Sequence, residues 1–188
     1  MPYSPYKPYN PNSQSIQLPE VDDDTGHTLV HYLYTGTYQT LKPQAASDSP
    51  SPDPSTEYRR AVLAYLAARS FQIDGLAQLA RSNMELYEKG LSIFDILDIM
   101  QDIYPNLPED EIWLPDSIKM KIEAAYEVDE TIFTTERFLD YIGEATAFNK
   151  ALVKIMVGAY TEKIKGMAKK EGKRLKNAFS GIWLNAKY

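Results

Sequence analysis

The sequence predicts a mainly α-helical protein, on the strength of three observations. From residue 27 onward, apolar residues recur every three or four positions, the spacing of one helix face. Prolines, glycines and Ser or Thr capping positions separate these periodic segments. No run alternates apolar and polar residues over the length that a large sheet needs.

Residues 1–15 repeat the unit Pro-Tyr-x and predict a disordered Pro/Tyr-rich segment. A polyproline II helix of the SH3-ligand type is the alternative. Residues 15–21, SIQLPEV, fit one short strand. The helix that follows places Leu29, Val30, Leu33 and Tyr34 on one side, and Gly36 can supply the left-handed residue that ends it.

Residues 42–56 are rich in proline, serine and acids, and predict a solvated loop inserted before the next helix. Every element after this loop is predicted to be a helix. The expected helices start at Thr56, after the break at Asp74-Gly75, at Ser92 (ending at Pro105), at Pro115 and at Thr134 or Thr135. A long last helix contains Phe148, Leu152, Ile155 and Ala159, and it can break at Gly158, Gly166 or Gly172.

Composition restricts the class of protein. The chain has no cysteine, which excludes disulfides, thiolate zinc sites and cysteine nucleophiles, and fits a reducing intracellular compartment. No apolar run approaches the roughly 20 residues of a membrane span, and the start lacks the apolar core of a signal peptide. We therefore expect an intracellular protein, in the nucleus or the cytoplasm.

The net charge of −6 conceals a basic C-terminal tail. Residues 163–188 carry eight basic side chains and one acidic one, a charge of +7, which leaves −13 for the remainder. In this tail the cations alternate with apolar residues, so a helix would be amphipathic and basic. It could dock on the acidic body or bind nucleic acid, an anionic surface or an acidic partner. A nuclear-import-like cluster comprises Lys169, Lys170, Lys173, Arg174 and Lys176.

Three stretches together resemble a known family. They are LVHYLYTGTY (29–38), AVLAYLAARSFQIDGLAQLARSNMELY (61–87) and LSIFDILDIMQDIYPNLPEDEIWLPDSIKMKI (91–122). The first resembles the YTG helix of BTB/POZ domains, the second their closing helix hairpin, and the third the helical region that follows in filamentous-fungal BTB proteins.

The resemblance implies the lower half of a BTB fold with a BACK-like helical extension. Its division would be a Pro/Tyr-rich segment (1–15), a truncated BTB-like domain (16–90), a helical extension (91–162) and a basic tail (163–188). Because too few residues precede position 16 for the upper half, BTB-style homodimerisation is not expected. The family's role implies a protein-interaction adaptor or scaffold, with a ubiquitin-ligase cullin or a nuclear complex subunit as partner.

The candidate partner-binding residues are five tyrosines: Tyr32, Tyr34, Tyr38, Tyr58 and Tyr65. His27 and His31 have the i, i+4 spacing of a metal pair, but the aspartates at 22–24 are better explained as acids that stabilise a helix start, so no metal site is predicted. Asp95, Asp98 and Asp102 are predicted to form a solvated helix face.

No phosphate-binding loop, Gly-x-Ser-x-Gly elbow or cysteine-histidine pair is present in the sequence. We therefore predict a protein that is not an enzyme and needs no cofactor. Its expected function is partner binding through apolar helix faces, and the alternative is nucleic-acid or anionic-surface binding through the tail.

Overall fold

The computed structural model describes residues 21–41, 53–142 and 147–185, with side chains described as far as Arg174. All regular structure within these ranges is helical, so the predicted fold class and the long last helix are confirmed. The helices are α1 (Asp23–Thr35), α2 (Pro54–Ser70), α3 (Asp74–Tyr87), α4 (Ile93–Ile103), α5 (Trp113–Val128), α6 (Glu136–Asp140) and α7 (Ala147–Asn185), with 3₁₀ turns at Glu88–Gly90, Tyr104–Asn106 and Ile132–Thr134.

The chain divides into two compact units, unit 1 (Met1–Leu86) and unit 2 (Tyr87–Tyr188). The predicted Pro/Tyr-rich segment, the strand at 15–20 and residues 42–52 of the predicted loop lie outside the described residues. The predicted loop ends before residue 56, because α2 already begins at Pro54. The Asp53 side chain accepts a hydrogen bond from the Thr56 backbone N–H at 3.0 Å and caps the helix.

In unit 1, α2 contributes most of the core. Its fully buried side includes Tyr58, Val62 and Tyr65, and α3 adds Leu76 and Met84. The predicted break between α2 and α3 is present, but Gly75 does not make it. Gln72 takes the left-handed conformation, with φ 56°, after α2 has ended at Ser70.

Unit 2 has its core among α4, α5, α6 and the first turns of α7. Ser92 and Asp95 form a capping box that starts α4, as the Ser92 signal predicted. Apolar side chains then point inward from each helix, among them Leu97, Met100, Ile118, Ile122, Phe138, Phe148 and Leu152. Aromatic rings join α5 to the 3₁₀ turn and α7, since Tyr126 lies 4.8 Å from Phe133 and 5.3 Å from Tyr160 between ring centroids.

Helix α7 runs unbroken through Gly158, Gly166 and Gly172, so none of the three glycines ends it. At 39 residues it is on the order of 60 Å long. Only its first part packs on unit 2. Among the described residues, no helix combines the length and apolar character needed to cross a bilayer.

Candidate interaction surfaces

Helix α1 is fixed to unit 1 by a polar side that the sequence did not predict to be buried. Its buried residues are Thr25, Thr28 and Leu29. The Thr28 hydroxyl lies 3.2 Å from the Asp24 carbonyl and 3.0 Å from the Gln39 carbonyl, so it ties the segment after Gly36 back onto the helix. This anchoring determines which side of α1 faces outward.

The apolar face that the spacing predicted for α1 is divided, because Leu29 is buried whereas Val30, Leu33 and Tyr34 face outward. Val30 is 49% exposed, Leu33 65% and Tyr34 88%. The surrounding segment from Thr25 to Leu41 contains no Asp, Glu, Lys or Arg. Neighbouring exposed apolar side chains without charges between them are the kind of surface patch at which proteins bind partners.

The end of α1 is well ordered by local hydrogen bonds. Gly36 has φ 70° and donates its backbone N–H to the Tyr32 carbonyl at 2.7 Å, as the helix-end prediction required. Thr35 Oγ1 donates to the His31 carbonyl at 2.8 Å, and His31 Nε2 lies 3.0 Å from Thr37 Oγ1. The exposed face therefore has a defined shape before any partner binds.

The two histidines of α1 stack on each other, with ring centroids 6.0 Å apart. In the part of the chain that the structure describes, no group of three or more His, Cys, Asp or Glu residues is arranged to hold a metal ion.

The five candidate tyrosines separate into surface and core. Tyr34 is exposed, and Tyr32 and Tyr38 are half-buried. Tyr58 and Tyr65 are fully buried core residues of unit 1, so the prediction that they bind a partner is wrong. Both lie on the same side of α2, and at Tyr65 the Arg81 guanidinium covers the ring and donates to Oη at 3.0 Å.

The half-buried Tyr32 explains why α3 begins with Asp74-Gly75. A Cβ on Gly75 would lie 3.2 Å from Tyr32 Cζ and closer still to the hydroxyl oxygen. Gly75 therefore allows the ring of α1 to approach the first turn of α3. The sequence pattern showed the glycine but not this close approach.

The aspartates of α4 lie on a solvated face as predicted, with Asp98 and Asp102 exposed and Asp95 half-buried, and two of them also pair with α6. Arg137 of α6 lies 3.7 Å from the Asp95 carboxylate and 3.1 Å from that of Asp98, and Asp98 also accepts a hydrogen bond from the Tyr141 hydroxyl. Arg137 stacks over the Phe94 ring at 4.8 Å. These carboxylates hold α6 against α4.

Substituting Tyr141 by phenylalanine should make unit 2 less sensitive to alkaline pH. Burial, followed by the hydrogen bond to Asp98 and its negative charge, raises the pKa of Tyr141 to about 12 from an ordinary value of 10. Stability from a raised pKa is complete below pH 10 and is lost as pH rises from 10 to about 12, on the order of 2 kcal/mol in all.

Urea unfolding of the wild type and the Tyr141→Phe variant, at neutral pH and across that alkaline range, measures this effect. At neutral pH the variant should be less stable by roughly 1–3 kcal/mol, since it loses a hydrogen bond to a carboxylate. The difference should shrink toward zero as the pH rises. An equal difference at every pH would contradict the prediction.

In unit 2 a groove of 1080 Å³ lies between α5 and α7. Its floor is apolar and includes Tyr126, Ile155 and Ala159. Its rim is charged and more acidic than basic: the acids are Asp116, Glu123, Glu127, Glu130 and Glu162, and the lysines are Lys119, Lys154 and Lys163. Two of the lysines are already paired, Lys163 with Glu130 and Lys119 with Glu123 at 3.9 Å.

Beyond Lys163, α7 leaves the body of unit 2. Every described side chain from residue 164 to residue 174, a segment we call the α7 arm, is exposed. Ile164 is 61% exposed and Met167 53%, so the α7 arm does not pack on unit 2. Of the predicted basic cluster, Lys169, Lys170, Lys173 and Arg174 are on the arm, whereas the side chain of Lys176 lies outside the described residues.

The chain is thus a two-unit helical protein with an exposed apolar helix end and a basic arm. Two models that describe domains of the same family match its sequence. The model described as the HAC6 N-terminal domain matches residues 3–91, and the one described as the HAC6 small helical domain matches residues 92–168. Together they cover most of the sequence, and the chain belongs to the HAC6 family.

Two curated relatives are subtelomeric hrmA-associated cluster proteins of Aspergillus fumigatus, from strains CEA10 and Af293. Each is 37% identical over 145 residues, which are 77% of this chain and 36% of the relative. The chain therefore spans about a third of the length of these relatives. No solved structure matches the chain.

The BTB/POZ resemblance is wrong, because the two family models that cover these residues are those of the HAC6 family. The expected cullin partner was based on that resemblance and falls with it. The error has a physical reason. A glycine after an apolar helix end is a general capping signal and not a family signature, and here Leu33 and Tyr34 are exposed. The fungal origin that the resemblance implied does agree with the relatives.

Proposed function

We propose that the chain is a non-enzymatic protein-interaction module, an adaptor or scaffold, that binds a partner through the exposed end of α1. The observation that carries this proposal is the exposure of Val30, Leu33 and Tyr34 at 49%, 65% and 88% on one well-ordered helix end. Complete burial of a Val or Leu side chain contributes roughly 1.5–3 kcal/mol, so covering the exposed part of Val30 or Leu33 contributes about half of that before the costs of association.

The partner that this surface suits is a protein with an apolar patch. From Thr25 to Leu41 there is no lysine or arginine to contact phosphates, which makes nucleic acid a poor ligand here. Tyrosine is among the residues that contribute most at protein interfaces, and Tyr34 lies one helical turn from Val30 on the same face.

The test is a pair of substitutions in unit 1 with a matched control. Leu33→Asp should weaken partner binding about 30-fold or more, because it places a charge at the centre of an apolar contact. Leu86→Asp changes a leucine of similar exposure, 57% against 65%, on α3 and should leave binding intact. Both variants should fold, since both side chains are largely in water.

The measurement is quantitative co-purification from native cells followed by titration of the recovered partner. Loss of the same protein from the Leu33→Asp sample, with retention by Leu86→Asp, supports the proposal. Recovery of an identical set by the wild type and both variants would contradict it.

A second candidate function is binding of nucleic acid through the α7 arm. The observation that favours it is that Lys165, Lys169, Lys170, Lys173 and Arg174 are all exposed against the single acid Glu171. Four of these cations, Lys169, Lys170, Lys173 and Arg174, belong to the nuclear-import-like cluster, so this candidate implies a nuclear location.

Salt separates this candidate from the first. If about five cations contact phosphates, the logarithm of the affinity for duplex DNA should fall with the logarithm of salt concentration at a slope of about −4 to −5. Fluorescence anisotropy with labelled duplex DNA measures the slope, and Lys169→Glu with Lys170→Glu should weaken binding strongly. Binding that survives removal of residues 163–188 would exclude the arm as the DNA site.

A further inference from the structure

Helix α7 carries a stripe of four apolar residues that are each at least a third exposed, although Tyr160 among them also contacts the rings of Tyr126 and Phe133. Val157 is 55% exposed, Tyr160 36%, Ile164 61% and Met167 53%. Their spacing is three, four and three residues, the alternation of a and d positions in a coiled coil, and places them within one narrow face. We call these four residues the α7 seam.

The charges around the seam indicate what can cover it. Residues 87–162 carry 16 acidic and six basic side chains, whereas residues 163–174 carry six basic and one acidic. Within unit 2 the arm does not reach this acidic surface, because α7 is one continuous helix from Ala147 to Asn185 and its described side chains from residue 164 to residue 174 are exposed. A second copy of the chain supplies an acidic body for the arm and an identical seam.

We propose that two copies of the chain pair through antiparallel α7 helices, with seam against seam. In this register Val157 of one copy faces Met167 of the other, and Tyr160 faces Ile164, so each a position meets a d position, as antiparallel packing requires. Each basic arm then runs beside the acidic unit 2 of the other copy. Lys163, the cation nearest the centre of the pairing, is neutralised by Glu130 of its own chain.

The antiparallel direction follows from charge. A parallel pair would place the two basic arms side by side and leave both acidic bodies together at the other end. An antiparallel pair places each arm against a body, so the association should weaken as salt rises while the apolar seam keeps part of it. This surface lies on unit 2 and is independent of the α1 surface.

The first test is the mass of the full chain in solution. Sedimentation or light scattering should show a monomer–dimer equilibrium, and Ile164→Glu should raise the dimer dissociation constant at least about 100-fold, because two isoleucines lose their burial and two carboxylates enter the seam. Met120→Glu is the control, since Met120 is 69% exposed on α5 outside the seam, and it should leave the dimer intact. Helical content measured by circular dichroism should be equal in all three proteins.

The second test determines whether the two α7 helices pair parallel or antiparallel. Because the chain has no cysteine of its own, any disulfide must form between the introduced residues. Val157→Cys and Met167→Cys are prepared separately, oxidised alone and as a mixture. In the antiparallel pair only the mixture should form a disulfide, because like positions lie about ten residues apart along the axis, roughly 15 Å, which is too far for a disulfide.

The outcomes separate the alternatives. Dimers with cross-linking only in the mixture support the inference. Cross-linking of each variant alone would show parallel pairing and overturn it. A monomer at every concentration, or a dimer that Ile164→Glu leaves unchanged, would overturn it as well, whereas the α1 proposal is tested by other variants and is unaffected.

Discussion

Replacing Arg60 by methionine is expected to lower the free energy of unfolding of unit 1 by about 3–5 kcal/mol, the cost of leaving one partner of a buried ion pair alone. Arg60 Nε and Nη2 donate to Asp24 Oδ2 of α1 at 2.9 and 2.7 Å, and Nη1 donates to Glu57 Oε1 at 2.7 Å. The two carboxylates, through hydrogen bonds and charge, raise the pKa of Arg60 even though its burial, the largest influence, lowers it. The side chain of Glu57 is only 5% exposed, so its charge depends on Arg60 and on the Thr40 hydroxyl at 2.9 Å.

Urea unfolding followed by circular dichroism measures this cost, and two further variants identify its source. Arg60→Met combined with Glu57→Gln should recover a large part of the loss, because the unpaired buried charge is gone. Lys119→Met breaks an exposed pair with Glu123 and should cost less than about 1 kcal/mol. If Arg60→Met were as mild as Lys119→Met, the bridge between α1 and α2 would not be a stabilising contact.

The sequence predicted those elements whose signals are local. Gly36 ends α1, Ser92 starts α4 and Thr135 caps α6, because a cap is formed by residues within three or four positions of one another. The long last helix was also predicted, and Phe148 and Leu152 on its predicted face are buried, since a helical period depends only on its own segment.

What the sequence could not predict depends on contacts between distant segments. The α4 aspartates Asp95 and Asp98 gained Arg137 of α6 as a partner, and Glu57 gained the Thr40 hydroxyl from the segment after α1. A charged residue in sequence gives no sign of which helix will later pack beside it.

The candidate surface could be predicted only in part, because its exposure depends on contacts between distant segments. The apolar face of α1 was recognised from its spacing, but the spacing does not say whether such a face is covered. Within unit 1, α1 buries the side that carries Thr28 and Leu29, and the face that carries Leu33 is exposed. Because the candidate tyrosines were chosen by residue type alone, the predicted set included core residues of α2 beside exposed residues of α1.

Tyr58→Ala and Tyr34→Ala should therefore have opposite effects on stability and binding. Tyr58 is fully buried, and truncating an aromatic side chain in a packed core costs about 3–5 kcal/mol. Tyr34 is 88% exposed, so its truncation should change the free energy of unfolding by less than about 0.5 kcal/mol. It should instead weaken partner binding, if the end of α1 is the interaction surface.

The comparison needs both measurements on both variants, because a protein that is partly unfolded also loses its partners. Urea unfolding gives the stability, and titration of the recovered partner at a temperature where each variant is folded gives the affinity. The expected pattern is stability loss with intact affinity for Tyr58→Ala, and the reverse for Tyr34→Ala. If Tyr34→Ala bound as tightly as the wild type while Leu33→Asp did not, the contact would be centred on Val30 and Leu33, and Tyr34 would lie at its edge.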